Sequence, residues 1–163
     1  MENLTLRHRC YSFQSSGKIV YNPPRKGVEE LWSAIIETDQ DIVDYYRYLF
    51  LCHFKIPLLR PNWKSHISLI RGINEYTPLV QEFWKEREGE IVDFVYGQDL
   101  FWNDNFVWVN TYCPAYFQIR EKMGLAHTHD LIHNWGHITI GKFMKPNQLS
   151  YFEDFSHPLP KGY

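Results

Sequence analysis

Two short segments of the chain each place a histidine two residues before a hydroxyl-bearing residue. The first is His66-Ile67-Ser68-Leu69 and the second is His137-Ile138-Thr139-Ile140. In a β-strand, side chains two positions apart point to the same face. Each segment therefore presents an imidazole and a hydroxyl together, while its aliphatic residues enter the core. Two such strands brought together would gather two imidazoles and two hydroxyls around one small volume.

This set of four groups suits the cleavage of a phosphodiester. A neutral imidazole accepts the proton of the attacking oxygen, and an imidazolium protonates the leaving oxygen. The hydroxyls donate hydrogen bonds to the non-bridging oxygens, where negative charge increases in the transition state. We therefore expect His66, Ser68, His137 and Thr139 to be catalytic, without a metal ion or other cofactor. The residues leave open which histidine is the acid and which is the base.

The alternative is that both segments are ordinary core strands with a hydrogen-bonded histidine in each. From the composition, which includes 8 histidines, two such segments with flanking apolar residues arise by chance about one time in a hundred. The repetition of the pattern therefore favours the catalytic interpretation.

A histidine-rich stretch precedes the second segment and suggests a metal site. His129, His133 and His137 recur at intervals of four, which on a helix would place them on one face. However, Asn134 and Gly136 are poor residues for a helix interior, and no cysteine or carboxylate cluster joins the set. We predict a loop beside the site, in which His133 is a candidate contact for the substrate and no metal is bound.

Other candidates for substrate binding are cationic or aromatic. Arg71 and Lys142 each follow a motif histidine by five positions and could neutralise a phosphate, although strict alternation places both on the opposite face. Trp102 and Trp108 flank a predicted hairpin turn and are candidates for stacking on nucleobases. For these two rings, the alternative is cross-strand aromatic packing.

The order of elements predicts an α+β architecture. The predicted strands are 18–21, 31–37, 66–71, 91–96, 99–102, 106–112 and 135–142, and the predicted helices are 40–54, 78–88 and 114–123. We expect residues 1–163 to form one two-lobed domain. In this interpretation, residues 1–17 are an N-terminal extension, and residues 143–163 are a tail or a lid.

The composition limits the class of partner. The formal net charge is −2, which argues against a long nucleic acid or a membrane surface, whereas a small nucleotide in a local pocket remains compatible. Aromatic residues make up 17% of the chain, so several rings could stack on bases. Three widely spaced cysteines, no signal-like N-terminus and no apolar run of about 18 residues predict a cytoplasmic protein. The oligomeric state is left open.

The paired segments resemble those of the 2H phosphoesterase superfamily. They are more closely similar to those of the phage anti-CBASS nucleases, which degrade the cyclic oligonucleotide immune signals of the host. The matching segments, which span roughly residues 18–145, are Asp44-Tyr45-Tyr46-Arg47, His66-Ile67-Ser68-Leu69-Ile70-Arg71, Phe101-Trp102-Asn103-Asp104 and His137-Ile138-Thr139-Ile140-Gly141. The chain departs from the pattern at Ser68, where threonine is common, and in its additional length at both ends.

The resemblance implies a 2H phosphoesterase-like fold, with two pseudo-symmetric lobes of antiparallel sheet, outer helices and a central cleft. It implies hydrolysis of cyclic di- or trinucleotides in the host cytoplasm, by which a phage evades CBASS defence. It also implies that Tyr21 stacks on a base and that a 2′-hydroxyl attacks its own 3′-phosphate. Two alternatives are an enzyme that opens 2′,3′-cyclic phosphates on RNA ends and a sponge that binds cyclic nucleotides without cleaving them.

Overall fold

The computed structural model describes residues 11–24, 31–127 and 136–145, with the side chains of residues 11 and 12 excepted. Its strands are β1 (Tyr11–Tyr21), β2 (Ser33–Glu37), β3 (His66–Arg71), β4 (Ile91–Trp102), β5 (Phe106–Tyr112) and β6 (His137–Lys142). Its helices are α1 (Gln40–Phe54), α2 (Pro78–Glu82) and α3 (Pro114–Lys122), and a 3₁₀ turn spans Gly72–Glu75. The fold is α+β with an antiparallel sheet.

The six strands form a closed barrel in the order β1-β2-β3-β6-β5-β4. The two motif strands, β3 and β6, are neighbours in this barrel. The strands form one continuous ring, because β1 pairs with both β2 and β4. Its residue Lys18 has Glu37 as its partner on one side and Ile91 on the other.

The predicted N-terminal extension partly belongs to the sheet. Residues 11–17 lie in β1 and pair with β4, so this strand begins well before residue 18. Gly17 permits the close approach of β2, because a Cβ atom there would lie 2.6 Å from Cγ2 of Ile36. The two strands predicted between residues 91 and 102 form one strand, β4, with an irregularity in its pairing between Tyr96 and Leu100.

Helix α1 has the predicted limits. The Asp39 side chain accepts a hydrogen bond from the amide of Asp41 at 2.9 Å, which caps the first turn. The helix ends at Lys55, whose φ of 59° is left-handed. The periodicity of apolar residues along 40–54 predicts a buried face that includes Tyr45 and His53, but Tyr45 is 54% exposed and His53 is also exposed. The buried residues of the helix are Ile42, Val43, Tyr46 and Phe50.

The other two helices begin at a proline as predicted, but only α3 ends close to its predicted limit. Helix α3 begins at Pro114, and Gly124, with φ of 67°, lies just after its end as predicted. Helix α2 ends at Glu82 rather than near residue 88. The chain continues through turns up to Gly89, and Lys85 takes a left-handed φ of 62° within them.

The motif strands have one buried face and one half-buried face. Ile67, Leu69, Ile138 and Ile140 are fully buried, as the alternation predicts, and we call their side of the sheet the core face. The side chains at 66, 68, 137 and 139 lie on the opposite face, which we call the site face, and all four are half-buried. The antiparallel sheet thus keeps the polar residues of both motifs out of the core.

Candidate active site

The motif residues meet across β3 and β6. These strands are antiparallel, with Ile67 and Ile138 as Cα partners. Continuing this register by one residue in each direction places His66 opposite Thr139 and Ser68 opposite His137 on the site face. Cβ atoms of directly opposite residues are about 4.5–5.5 Å apart. Each histidine therefore has the hydroxyl of the other motif as its cross-strand neighbour. We call these four residues the motif quartet.

The quartet has an approximate twofold symmetry. The symmetry of antiparallel pairing gives a local axis between Ile67 and Ile138, and this axis relates His66 to His137 and Ser68 to Thr139. Diagonal neighbours in such a pair are about 7–8 Å apart. The two imidazoles therefore stand on either side of a space that the two hydroxyl groups also border.

The His66 ring is oriented by the main chain. Its Nδ1 lies 2.7 Å from the carbonyl oxygen of Lys64. Because a carbonyl oxygen only accepts hydrogen bonds, Nδ1 carries the proton of this bond. Nε2 is then the nitrogen that can exchange a proton with a substrate. The ring of Trp63 lies next to the imidazole, with 5.2 Å between the ring centroids.

The approach to β3 is fixed by hydrogen bonds from Ser65, which is 2% exposed. Its amide donates to Oε1 of Gln40 at 3.0 Å, and its carbonyl accepts from the amide of Thr38 at 3.0 Å. The hydroxyls of Ser65 and Thr38 share a further hydrogen bond of 2.7 Å. The connection between β2 and α1 thereby holds the residue that precedes His66.

On the other side of the quartet, β5 contributes two side chains to the site face. Trp108 and Asn110 are the Cα partners of Thr139 and His137. The indole Nε1 of Trp108 donates to Oδ1 of Asn110 at 3.2 Å. The ring centroids of Trp108 and His137 are 6.1 Å apart. The sequence analysis predicted Trp108 but not Asn110, although both lie on the same face of β5 by alternation.

Gly136 allows β6 to approach β3 closely. A Cβ atom at this position would lie 2.7 Å from Cγ2 of Ile67 and 3.1 Å from Oγ1 of Thr111. Its carbonyl oxygen accepts a hydrogen bond from the amide of Thr111 at 2.9 Å. The absence of a side chain at residue 136 thus places the neighbouring His137 against both β3 and β5.

We expect Gly136→Ala to separate the motif strands, because the added methyl group overlaps Ile67. Overpacking of a core usually costs about 1–3 kcal/mol, and a displacement of about 1 Å can lower turnover about 100-fold. Thermal unfolding and turnover of the variant measure both effects. Ile67→Ala removes the overlapping Cγ2, so Gly136→Ala should lower activity much less in an Ile67→Ala background than in the wild type. Unchanged stability and activity in Gly136→Ala would contradict the close approach.

Tyr21 lies away from the quartet. It is 5% exposed, and its Cα partner on β2 is Ala34, so alternation places it on the core face. Its ring packs edge-on against Trp84 at 4.8 Å. Burial, followed by the charge of Glu88, raises the pKa of Tyr21 to about 12. The ring lines a separate cavity of about 300 Å³ that also involves Phe83 and Met123.

Trp102 packs away from the quartet. Its ring lies against Phe54 of α1, with 5.6 Å between ring centroids.

The two candidate cations lie at the ends of the motif strands. Each strand has an irregularity in its pairing before the cation, so that two consecutive residues are buried and strict alternation fails. Arg71 pairs with Ser33, and Lys142 pairs with Phe106. Alternation along β2 and β5 places these partners on the site face, so the expectation that both cations lie on the opposite face is wrong. Nζ of Lys142 lies 5.8 Å from the centroid of the Phe106 ring.

Several predictions of contact or closure concern residues outside the described part of the chain. His133 and His129 are in this group, as is most of the predicted tail or lid, from residue 146 onwards. Within the described ranges, no three histidine, cysteine or acidic residues are grouped so that they could hold a metal ion. In the same ranges, none of the helices has the length and apolar character needed to cross a membrane.

Comparisons with known proteins do not assign the chain to a group. No family model matches it, and no match was found among curated proteins or solved structures.

Proposed function

We propose that the protein is a metal-independent phosphodiesterase of the 2H type. The observation that carries this proposal is the pairing of the two motif strands about Ile67 and Ile138. The motifs are far apart in sequence, and the fold makes them neighbours with both histidines and both hydroxyls on one face. If the two segments were ordinary core strands, nothing would require their histidines and hydroxyls to lie on the same face of neighbouring strands in this register.

The proposed reaction uses each member of the quartet once. One neutral imidazole accepts the proton of the attacking hydroxyl, and one imidazolium donates a proton to the leaving oxygen. General acid and base catalysis each contribute typically about 10²–10⁴-fold to a rate. Ser68 and Thr139 donate to the non-bridging oxygens of the phosphate as negative charge increases there. The hydrogen bond between Nδ1 of His66 and the carbonyl of Lys64 leaves Nε2 as the nitrogen that exchanges a proton with the substrate.

The proposed substrate is a cyclic di- or trinucleotide. Aromatic rings adjoin both ends of the quartet: Trp63 lies beside His66, and Trp108 beside His137. Phe101 is in turn stacked on Trp108, with 22° between the ring planes. Trp108 is 5% exposed, so it is a wall of the site, whereas the half-buried ring of Trp63 suits stacking on a nucleobase. The net charge of −2 favours a small ligand over a polyanion.

The biological setting we propose follows the resemblance to the phage anti-CBASS nucleases. A phage protein of this type would degrade cyclic oligonucleotide signals in the host cytoplasm. The two pseudo-symmetric lobes of the 2H fold would correspond to the halves of the barrel related by the local axis of the quartet. In the reaction proposed, a ribose 2′-hydroxyl attacks the adjacent 3′-phosphate.

The test is product analysis by chromatography and mass spectrometry. The protein is incubated in EDTA with 3′,3′- and 2′,3′-linked cyclic oligonucleotides, beside a His66→Ala, His137→Ala double variant. We expect linear products from the wild type alone, and no cleavage where the attacking hydroxyl is replaced by hydrogen. Cleavage only of 2′,3′-cyclic phosphates on RNA ends would indicate the alternative enzyme. Bound but intact ligand with both proteins would indicate a sponge and would contradict hydrolysis.

A further inference from the structure

The twofold symmetry of the quartet makes the two histidines equivalent, but the strands that flank it do not. Glu37 of β2 is the Cα partner of His66 on β3. Asn110 of β5 is the corresponding partner of His137 on β6. One imidazole thus has a carboxylate as its outer neighbour, and the other has a neutral amide. A neighbouring carboxylate favours the protonated form of an imidazole, whereas an amide carries no net charge.

The charged groups facing His66 come from each element around it. Glu37 lies on β2, Lys18 is the partner of Glu37 on β1, and Lys64 precedes β3. Nζ of Lys64 lies 3.6 Å from Oε1 of Glu37, and the two side chains are 83% and 41% exposed. The more exposed ammonium is the better screened by water, so the carboxylate keeps much of its effect. On β6, the titratable groups of the site face are His137 and Lys142, and Lys142 lies at the end of the strand as the Cα partner of Phe106.

The cross-strand neighbours of His137 carry no charge. They are Asn110 on β5 and Ser68 on β3. A tryptophan ring lies beside each imidazole, at 5.2 Å from His66 and at 6.1 Å from His137, so the rings do not distinguish the two histidines. The difference is the carboxylate of Glu37, which favours the protonated form of His66 and leaves the neutral form favoured at His137.

We propose that Glu37 gives His66 the role of general acid and leaves His137 as the general base. This inference rests on the proposed phosphodiesterase function. Neutral His137 takes the proton from the attacking 2′-hydroxyl as its oxygen forms a bond to phosphorus. The bond from phosphorus to the leaving oxygen breaks, and the His66 imidazolium supplies the proton to that oxygen. This step leaves a 2′,3′-cyclic phosphate and a free hydroxyl, and a water molecule then opens the cyclic phosphate to complete the hydrolysis. Glu37 acts through His66 and is a positioning residue, not a catalytic one.

The first test measures histidine titration by NMR on substrate-free protein labelled at the imidazole carbons. We expect the pKa of His66 to exceed that of His137. In Glu37→Gln, it should fall by about 0.5 unit, the size expected for one charge roughly 6 Å away in a well-hydrated site. In Lys64→Gln, the His66 pKa should rise, and the carbonyl that binds Nδ1 is retained. Glu82→Gln, an exposed change at the end of α2, is the control and should change neither pKa.

The second test is the pH dependence of turnover. Removing the carboxylate lowers the pKa of the acid, so the acidic form is lost at lower pH and the basic limb of the profile should move down by the same amount. The outcomes separate the two proposals, because the titration needs no turnover. Shifted titration without any hydrolysis would retain the effect of Glu37 on the protonation of His66, but it would reject the function and with it the general-acid role. An unshifted His66, or a shift confined to His137, would overturn the inference even if hydrolysis is observed.

Discussion

Replacement of either motif histidine by alanine is expected to lower kcat on a cyclic dinucleotide by about 10²–10⁴-fold, because each removes one proton-transfer group. The double variant should be only slightly worse than the more impaired single variant, since groups that act as a unit are strongly non-additive. Both imidazoles are half-buried on the site face, so neither replacement opens a cavity in the core. Single-turnover kinetics with matched thermal unfolding separate loss of chemistry from loss of fold.

His53→Ala is the matched control for these variants. His53 is an exposed histidine on α1, outside the quartet, and its replacement should leave turnover unchanged. A loss of less than about tenfold in both His66→Ala and His137→Ala would mean that the paired imidazoles do not perform acid–base catalysis. The cleavage observed would then have to be assigned to other groups.

The largest expected effect on stability is that of Arg120→Met. Arg120 is 1% exposed and donates to the carbonyls of Leu69 and Ala126. Nη2 of Arg120 also lies 2.8 Å from Oε1 of Glu75. Removing one partner of a buried ion pair costs about 3–5 kcal/mol, because the remaining charge loses its partner. Urea denaturation should show a loss of this size in the free energy of unfolding.

Lys122→Met provides the control on the same helix. Nζ of Lys122 lies 2.6 Å from Oε1 of Glu86, but the two side chains are 46% and 49% exposed. Exposed ion pairs contribute about 0–1 kcal/mol, so this variant should be nearly neutral. Adding Glu75→Gln to Arg120→Met should recover part of the loss, because the carboxylate charge is removed. A cost of less than about 1 kcal/mol for Arg120→Met would show that the pair does not stabilise the fold.

The elements that carry the site were predictable because their signals are local. Alternation in 66–71 places Ile67 in the core and His66 outside it, and the same argument holds for Ile138 and His137. The Asp39 cap and the periodicity after it give the limits of α1. These features depend on residues a few positions apart, whose backbone geometry fixes which side chains share a face.

The features of the site that the sequence analysis did not predict depend on strand register, which is set by residues far apart in the chain. Glu37 and Asn110 adjoin the quartet because β2 pairs with β3 and β5 pairs with β6. No local pattern specifies these pairings. Tyr21 was predicted to contact the substrate, but pairing with Ala34 places it on the core face. Trp102 was predicted to stack on a base, and it packs against α1 because the helix lies over the end of the hairpin.

Closure of the barrel also opposes a change in the register between the motif strands β3 and β6. A shift of β3 by one residue against β6 would turn His66 into the core and Ile67 outwards. In an open sheet, the two strands could slide without disturbing distant ladders. In a closed ring, such a slide requires a compensating shift elsewhere, for example in the long ladder from Tyr11 and Gly97 to Lys18 and Ile91. The ladder between β1 and β4 therefore helps to hold the register of the two motif strands from the far side of the barrel.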